Sequence, residues 1–296
     1  MRPKIGIVCH DSGGAELVSR LLKRRDADYL YSVQGPAISV FTRNVGLFEN
    51  IELDKIVAES DFLICGTSWQ STHENQAIYL AQERDKRAIS VLDHYSCYLE
   101  RFVKNGFNII PNELWVTDEK SFTLAQEIAP AASITIVGNP YLDEMKLNFD
   151  RLEKPKLSEE DFEILYLSEP YAQQAATQYG NQNHWKFNEF IAFEFLVLNI
   201  GKITDKPRIS ISIRHHPAEE PNKYKHLVGR RDNVEIKLST NGDLLTEMAA
   251  SHAVVGVDTL AMLLAIRIGK PVYSALPPLT IEPTLPRAGI IYLREL

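Results

Sequence analysis

The feature that most constrains this chain is a repeated switch between short apolar runs rich in β-branched residues and stretches of helical periodicity. The run "KIGIVC" (4–9) reads as a buried strand and "GAELVSRLLKRR" (14–25) as a helix. "DFLIC" (61–65) and "ENQAIYLAQERDK" (74–86) repeat the pair, followed by strands at "RAISVLD" (87–93) and "ELWVTD" (113–118), a helix at "EKSFTLAQEI" (119–128) and a strand at "SITIVG" (133–138). Such alternation describes a parallel sheet covered by helices on both faces.

The stretch "NFDRLEKPKLSEEDF" (148–162) interrupts the pattern, being charged, proline-containing and poor in large apolar residues, as suits a linker or a solvated helix end. The alternation then resumes through "EILYLS" (163–168), "RISISIR" (208–214), "NVEIKLS" (233–239), "DLLTEMAAS" (243–251), "HAVVGV" (252–257), "TLAMLLAIRIG" (259–269) and "KPVYSA" (270–275). The expected fold class is α/β, with two doubly wound Rossmann-like domains, 1–150 and 151–296, and a cleft between them. The apolar segment "FIAFEFLVLNIG" (190–201) is too short to span a bilayer and contains Glu194, so a buried helix is expected.

A net charge of −7 over 296 residues offers no general attraction to nucleic acid or an anionic membrane, so an anionic ligand must be held locally. Cys9, Cys65 and Cys97 have no CxxC spacing and give neither a metal cluster nor an even set of disulfides, which favours a reducing compartment. No export signal is read in "MRPKIGIVCH". A cytoplasmic protein is expected, with the inner face of the membrane as a compatible peripheral site. No metal site is expected, in the absence of HExxH or a paired-aspartate motif.

Ligands of open parallel sheets bind beyond the carboxyl ends of the strands. Four such ends carry polar residues. In the first, strand one runs into His10, Asp11, Ser12, Gly13 and Gly14; paired glycines permit close backbone approach and a helix N-terminus favours an anion. Asp11 is either a functional carboxylate or a helix cap. The loop has neither GxGxxG nor P-loop spacing. The second end carries Asp93, His94 and Tyr95; adjacent residues of an extended chain point to opposite faces, so a direct Asp93–His94 contact is not implied. In the third, "GTSWQSTHE" (66–74), Ser71, Thr72 or Asn75 is expected to cap a helix. The fourth is "SISIRHHPAEEP" (210–221), where Arg214, His215 and His216 close a strand before Pro217, together with Asp258 and Thr259 at a later strand-to-helix junction. A histidine held there can donate to a phosphate oxygen, and the Thr hydroxyl and helix N–H groups can meet the same anion.

With "VGNPYLDEM" (137–145), "RHHPAEE" and "AVVGVDTLAMLLAIRIGKPVYS" in this order, the chain resembles the GT-B glycosyltransferase superfamily over nearly its whole length. The likeness is to bacterial sialyltransferase, polysialyltransferase and capsule-transferase enzymes, with nucleotide-sugar 2-epimerases as more distant relatives. The resemblance implies a metal-independent glycosyltransferase of surface polysaccharide synthesis, using a nucleotide sugar as substrate rather than a cofactor, and a glycan or lipid-linked acceptor. By position it assigns the donor phosphate to His216 and Pro217, assistance to the helix start at Asp258 and Thr259, and the general base to Asp11. His216 is preferred to His215 because it directly precedes the proline. The remaining substrate-side candidates are His10, Ser12, Gly13, Gly14, His94 and Arg214. The loop reads HDSGG where many such enzymes have an acidic pair plus glycine. The sequence closes at "IIYLREL" rather than in a long crossing helix, so a shorter closing element, or a partner, is expected to supply that packing. An epimerase or hydrolase of the same fold, or a non-catalytic sugar-nucleotide-binding subunit, are the alternatives.

Overall fold

Continuous burial explains why the apolar runs form strands rather than helices: five of the six residues of the first are inaccessible, and a strand covered on both faces needs no polar alternation. The computed structural model describes every residue except 1, 24, 25, 70, 105 and 241, and no side chain is described at 104 or 107. Arg24 and Arg25, the end of the first expected helix, therefore lie outside the described residues. The chain divides into two compact units, Met1–Tyr141 and Leu142–Leu296.

Unit 1 runs β1 (Lys4–Cys9), α1 (Ser12–Leu22), β2 (Asp28–Val33), α2 (Ala37–Asn44), α3 (Leu53–Glu59), β3 (Phe62–Cys65), α4 (His73–Gln82), β4 (Ala88–Val91), α5 (Tyr98–Phe102), β5 (Val103–Lys104), β6 (Phe107–Asn108), β7 (Glu113–Val116), α6 (Glu119–Ile128) and β8 (Ser133–Ile136). The six-stranded sheet is parallel in the order β2-β1-β3-β4-β7-β8, and β5 and β6 form a small antiparallel ribbon. Because β1 is flanked by β2 and β3, the direction of winding changes beside it, and this switch point opens a crevice at the strand ends.

The β2-α2-α3 segment was not apparent from periodicity. Tyr29 and Tyr31 alternate along β2 and are only half-buried; Tyr31 packs on Phe41 of α2 and Phe48, with ring centroids 5.9 and 5.1 Å apart. The two helices have only eight and seven residues, too short to display a clear apolar stripe.

Helix α7 (Pro140–Arg151) covers the start of the charged stretch, so those charges belong to a solvated helix end before a non-helical segment. Unit 2 continues with β9 (Asp161–Leu167), α8 (Tyr171–Tyr179), α9 (Glu189–Leu198), β10 (Arg208–Arg214), β11 (Gly229–Arg231), β12 (Val234–Leu238), α10 (Leu244–Ala249), β13 (Ala253–Gly256), α11 (Leu260–Arg267), β14 (Val272–Ser274) and β15 (Ile290–Tyr292). Its sheet runs β11-β12-β10-β9-β13-β14-β15, parallel except for β11. The closing "IIY" is thus an edge strand on β14.

Helix α9 corrects one expectation. It buries Phe193 and Leu196 in the main core of unit 2 and Ala192 in a smaller cluster with Tyr171 and Phe187, while Ile191 and Leu198 are exposed, so it is half-buried rather than enclosed. Asn188 starts it by accepting from the N–H groups of Phe190 and Ile191, both at 3.0 Å. Among the described residues no helix is long and apolar enough to cross a membrane.

Candidate functional site

The crevice of unit 1 is lined by the loops that leave β1, β3 and β4. Asp11 occupies the N-cap position of α1, yet its side chain makes no capping hydrogen bond. Its Oδ1 instead accepts from Nδ1 of His10 at 2.7 Å, and its backbone carbonyl begins the helix by accepting from Ala15. Ser12 opens the helix and is exposed.

The two glycines face protein. A Cβ on Gly13 would stand 2.0 Å from Oδ2 of Asp93, and one on Gly14 would stand 3.2 Å from the Cα of Gly66. Their lack of side chains therefore lets the β1 loop close on the ends of β4 and β3, where the sequence suggested room for a ligand.

Asp93 is held by Arg101 of α5, whose Nη1 donates to its Oδ1 at 2.9 Å and to Oγ1 of Thr67 at 2.7 Å. Arg101 is buried, and its bonds to Asp93 and Thr67 tie the ends of β4 and β3 to one another. His94 turns to Ser96, its Nδ1 2.9 Å from the hydroxyl, and Tyr95 donates to the Asp118 carboxylate. Of the expected caps, Thr72 occupies the N-cap of α4 without a side-chain cap bond, Ser71 accepts from the His73 N–H at 3.1 Å, and Asn75 donates to the Arg101 carbonyl at 2.9 Å.

Glu74, at the start of α4, is the residue that sequence reasoning missed. It is buried, and its Oε1 accepts the backbone N–H of His10 at 2.7 Å. Burial pushes its carboxyl up from 4.5 to about 7. The charge of Asp11 also raises it, while His10 and two backbone N–H groups pull it down. His73 beside it donates from Nε2 to the Ser32 carbonyl, 2.9 Å away, and burial holds its imidazole below the usual range.

In unit 2 the loops after β9, β10 and β13 form the corresponding edge. His216 is fixed from three directions: Glu219 Oε2 accepts its backbone N–H at 2.8 Å, its carbonyl accepts from the Glu219 N–H at 2.8 Å, and its Nδ1 accepts from the Ala218 N–H at 3.1 Å. With Nδ1 an acceptor, the proton of the neutral ring is on Nε2. His215 directs its Nδ1 to the His216 carbonyl at 3.0 Å, and Pro217 is exposed in the turn.

The two acids of "HHPAEE" part company. Glu220 is exposed, whereas Glu219 is buried and accepts from Lys223 Nζ and the Tyr224 hydroxyl, both at 2.7 Å. These partners hold its carboxyl below the ordinary range against the opposing effect of burial. Lys223 also pairs with buried Glu189, so a closed polar network underlies the His216 loop.

Two further candidates have structural partners. Arg214 donates to the Gly242 carbonyl at 2.9 Å and to Glu247 at 2.7 Å, pinning the β12–α10 connection. Asp258 accepts from the Thr284 N–H and hydroxyl, both at 2.6 Å, and from the Leu285 N–H at 3.1 Å. That clamp accounts for a carboxylate beside an expected anion site.

His216 and Thr259 do not belong to adjacent strands, because β9 runs between β10 and β13. The end of β9 presents Glu169, whose neighbours His216 and Thr259 both favour its ionised form. Burial raises its carboxyl above the ordinary range, and the nearby charges of Glu219 and Asp258 add to that rise. Its signal was in the sequence: "LYLSEP", like "SIRHHP", is a buried strand ending in polar residues and a proline.

No protein-family profile matches the chain, and no curated protein matches it. Solved structures do. The Staphylococcus aureus MnaA structure with UDP is similar at 14% identity over 93% of this chain and 79% of that one, with a TM-score of 0.58. A putative UDP-N-acetylglucosamine 2-epimerase from Listeria monocytogenes gives the same values. The UDP-GlcNAc 2-epimerase of Neisseria meningitidis bound to UDP-GlcNAc aligns over 92% of this chain and 82% of that one, at 14% identity and a TM-score of 0.53. The fold is of the GT-B type, two Rossmann-like units, the sheet of the first parallel and that of the second parallel except for β11.

Proposed function

We propose that the protein binds a nucleotide sugar with its phosphates on unit 2 and transfers the sugar to an acceptor hydroxyl presented by unit 1, with no metal ion taking part. The observation that carries this reading is the fixed ring of His216, whose Nδ1 is occupied by the Ala218 N–H and whose Nε2–H is the donor at the strand ends. That donor and the N-terminal N–H groups of α11 supply the positive potential a leaving phosphate needs. In unit 1, Asp11 is oriented by His10 rather than spent on its helix, as suits a base. The acceptor oxygen forms the new bond to the sugar's anomeric carbon, the bond to phosphate breaks with its electron pair leaving on the nucleotide, and the hydroxyl proton passes to Asp11. The acceptor is then a glycan or a lipid-linked glycan, of the kind that surface-polysaccharide enzymes extend.

Epimerisation or hydrolysis of the nucleotide sugar is the second reading. It is favoured by the three acids Asp11, Glu74 and Asp93 gathered at one sheet edge, since inversion at a sugar carbon needs groups that both remove and return a proton. Both readings are tested by incubating the chain with UDP- and CMP-sugars, with and without glycan acceptors, and identifying products by mass spectrometry. Transfer requires the acceptor. His216→Asn is expected to lower turnover by about 10²-fold. Turnover without acceptor establishes the second reading, binding without turnover makes the chain a sugar-nucleotide-binding subunit, and full activity in the Asn variant removes His216 from the site.

A further inference from the structure

Glu74 combines three properties that a purely structural residue has no need of. It is 2% exposed, one of its oxygens is bonded to the backbone of a candidate catalytic loop, and the other, Oε2, is buried with no hydrogen-bond partner. A buried carboxylate with an unsatisfied oxygen is costly; the same group carrying a proton is not charged and loses most of that cost. Glu74 stands 64 residues from His10 in sequence but is bonded to it directly, and Asp11 acts on it electrostatically from the next position.

We propose that Glu74 is the positioning residue of the unit 1 site: it holds the His10 backbone and, by gaining or losing its own proton, sets the proton affinity of the His10–Asp11 pair. The inference rests on the reading of that pair as the acid–base group of the enzyme. When Glu74 is neutral, the negative charge bonded to the imidazole is that of Asp11. When Glu74 ionises, a second negative charge behind the loop draws the proton more strongly onto His10. The coupling is reciprocal, because the charge that makes Glu74 easier to ionise is the one its ionisation stabilises. The surrounding groups allow this. From β1 and β3 the titratable neighbours are Cys9 and Cys65, both buried thiols raised by burial and by Glu74 itself, and so neutral in the physiological range. From the end of β4 comes Asp93, neutralised by Arg101 of α5. On α4 itself His73 is held below its usual range and so is uncharged at neutral pH.

The decisive measurement needs no substrate. The ring nitrogens of His10 are followed by NMR from pH 5 to 9 in the full chain and in Glu74→Gln. In the wild type the His10 ring should report an inflection near 7 that comes from Glu74; in the Gln variant that inflection should vanish. An unchanged His10 titration overturns the proposal. If Glu74→Gln does not fold, the Glu74 side-chain carboxyl carbon is followed in the wild type; a midpoint in the ordinary carboxylate range, about 4.3, overturns it equally. Failure of the proposed transfer reaction is distinguishable, because it leaves the coupled titration in place. Where the enzyme turns over, the Gln variant should lose the limb of the kcat profile near pH 7 while KM for the nucleotide sugar stays within about twofold.

Discussion

The strand-end edges of the two units use the same materials to different ends. In each, one acid is neutralised by a buried or half-buried cation, Asp93 by Arg101 in unit 1 and Glu219 by Lys223 in unit 2. In each, a second acid, Glu74 or Glu169, is pushed up by burial. The difference is where the cation stands. Arg101 reaches across the strand ends themselves, binding Thr67 and Asp93, and leaves a histidine–aspartate pair as the reactive feature of the edge. Lys223 stands behind the His216 loop, between Glu189 and Glu219, so its charge stiffens the loop rather than facing a ligand. The teaching is that one topology yields a proton-accepting edge or a hydrogen-bond-donating edge according to which side of the loop carries the fixed charge.

The largest effect that would break this contrast belongs to Asp11→Asn. The side chain does not cap α1, so stability should change by less than about 0.5 kcal/mol in urea titration, while transfer should fall by about 10²- to 10⁴-fold with donor binding retained. A full rate in the Asn variant assigns unit 1 no base at that position.

Arg101→Met comes next. Removing one partner of a buried ion pair leaves Asp93 uncompensated, at a cost of about 3–5 kcal/mol, read as a fall in the denaturation midpoint. The same variant at Lys223, which is less buried, should cost less; equal losses would erase the distinction drawn between the two cations.

The third effect distinguishes the units by pH. Glu74 protonates at about 7 in the folded chain against an ordinary 4.5, so between those values the folded state binds more protons than the unfolded one. Its contribution is fully present below pH 4.5 and is lost as pH rises through 7, a decline of about 3 kcal/mol that Glu74→Gln should flatten. Glu219 has the opposite sign, its carboxyl lying below the ordinary range. Its contribution is present above pH 4.5 and is lost as pH falls through its lowered value. Glu219→Gln should therefore reduce the acid-side loss. At neutral pH it should cost about 1–3 kcal/mol through the weakened bonds to Lys223, Tyr224 and the His216 N–H. Stability curves measured against pH in both variants check the two signs together.

Local pattern was enough to determine the α/β class, most central strands and the polar strand ends, because a strand buried on both faces must be apolar throughout and its end must then be conspicuous. "KIGIVC", "RISISIR" and "HAVVGV" declare themselves in this way, as do the residues that follow them. The β2-α2-α3 segment did not, since its side chains are half-buried and its helices too short to show a period. What tertiary structure alone decided is which polar residues already have partners. Arg214 is claimed by Glu247, Asp258 by Thr284, and the space at Gly13 by Asp93, each across 26 residues or more. The same holds for Glu74 and Glu169, whose importance comes from His10 and Thr259, residues that meet them only when separate strands are set side by side. A hydrogen bond or a burial cost depends on what stands within a few ångströms, and sequence order records that distance only for neighbours along the chain.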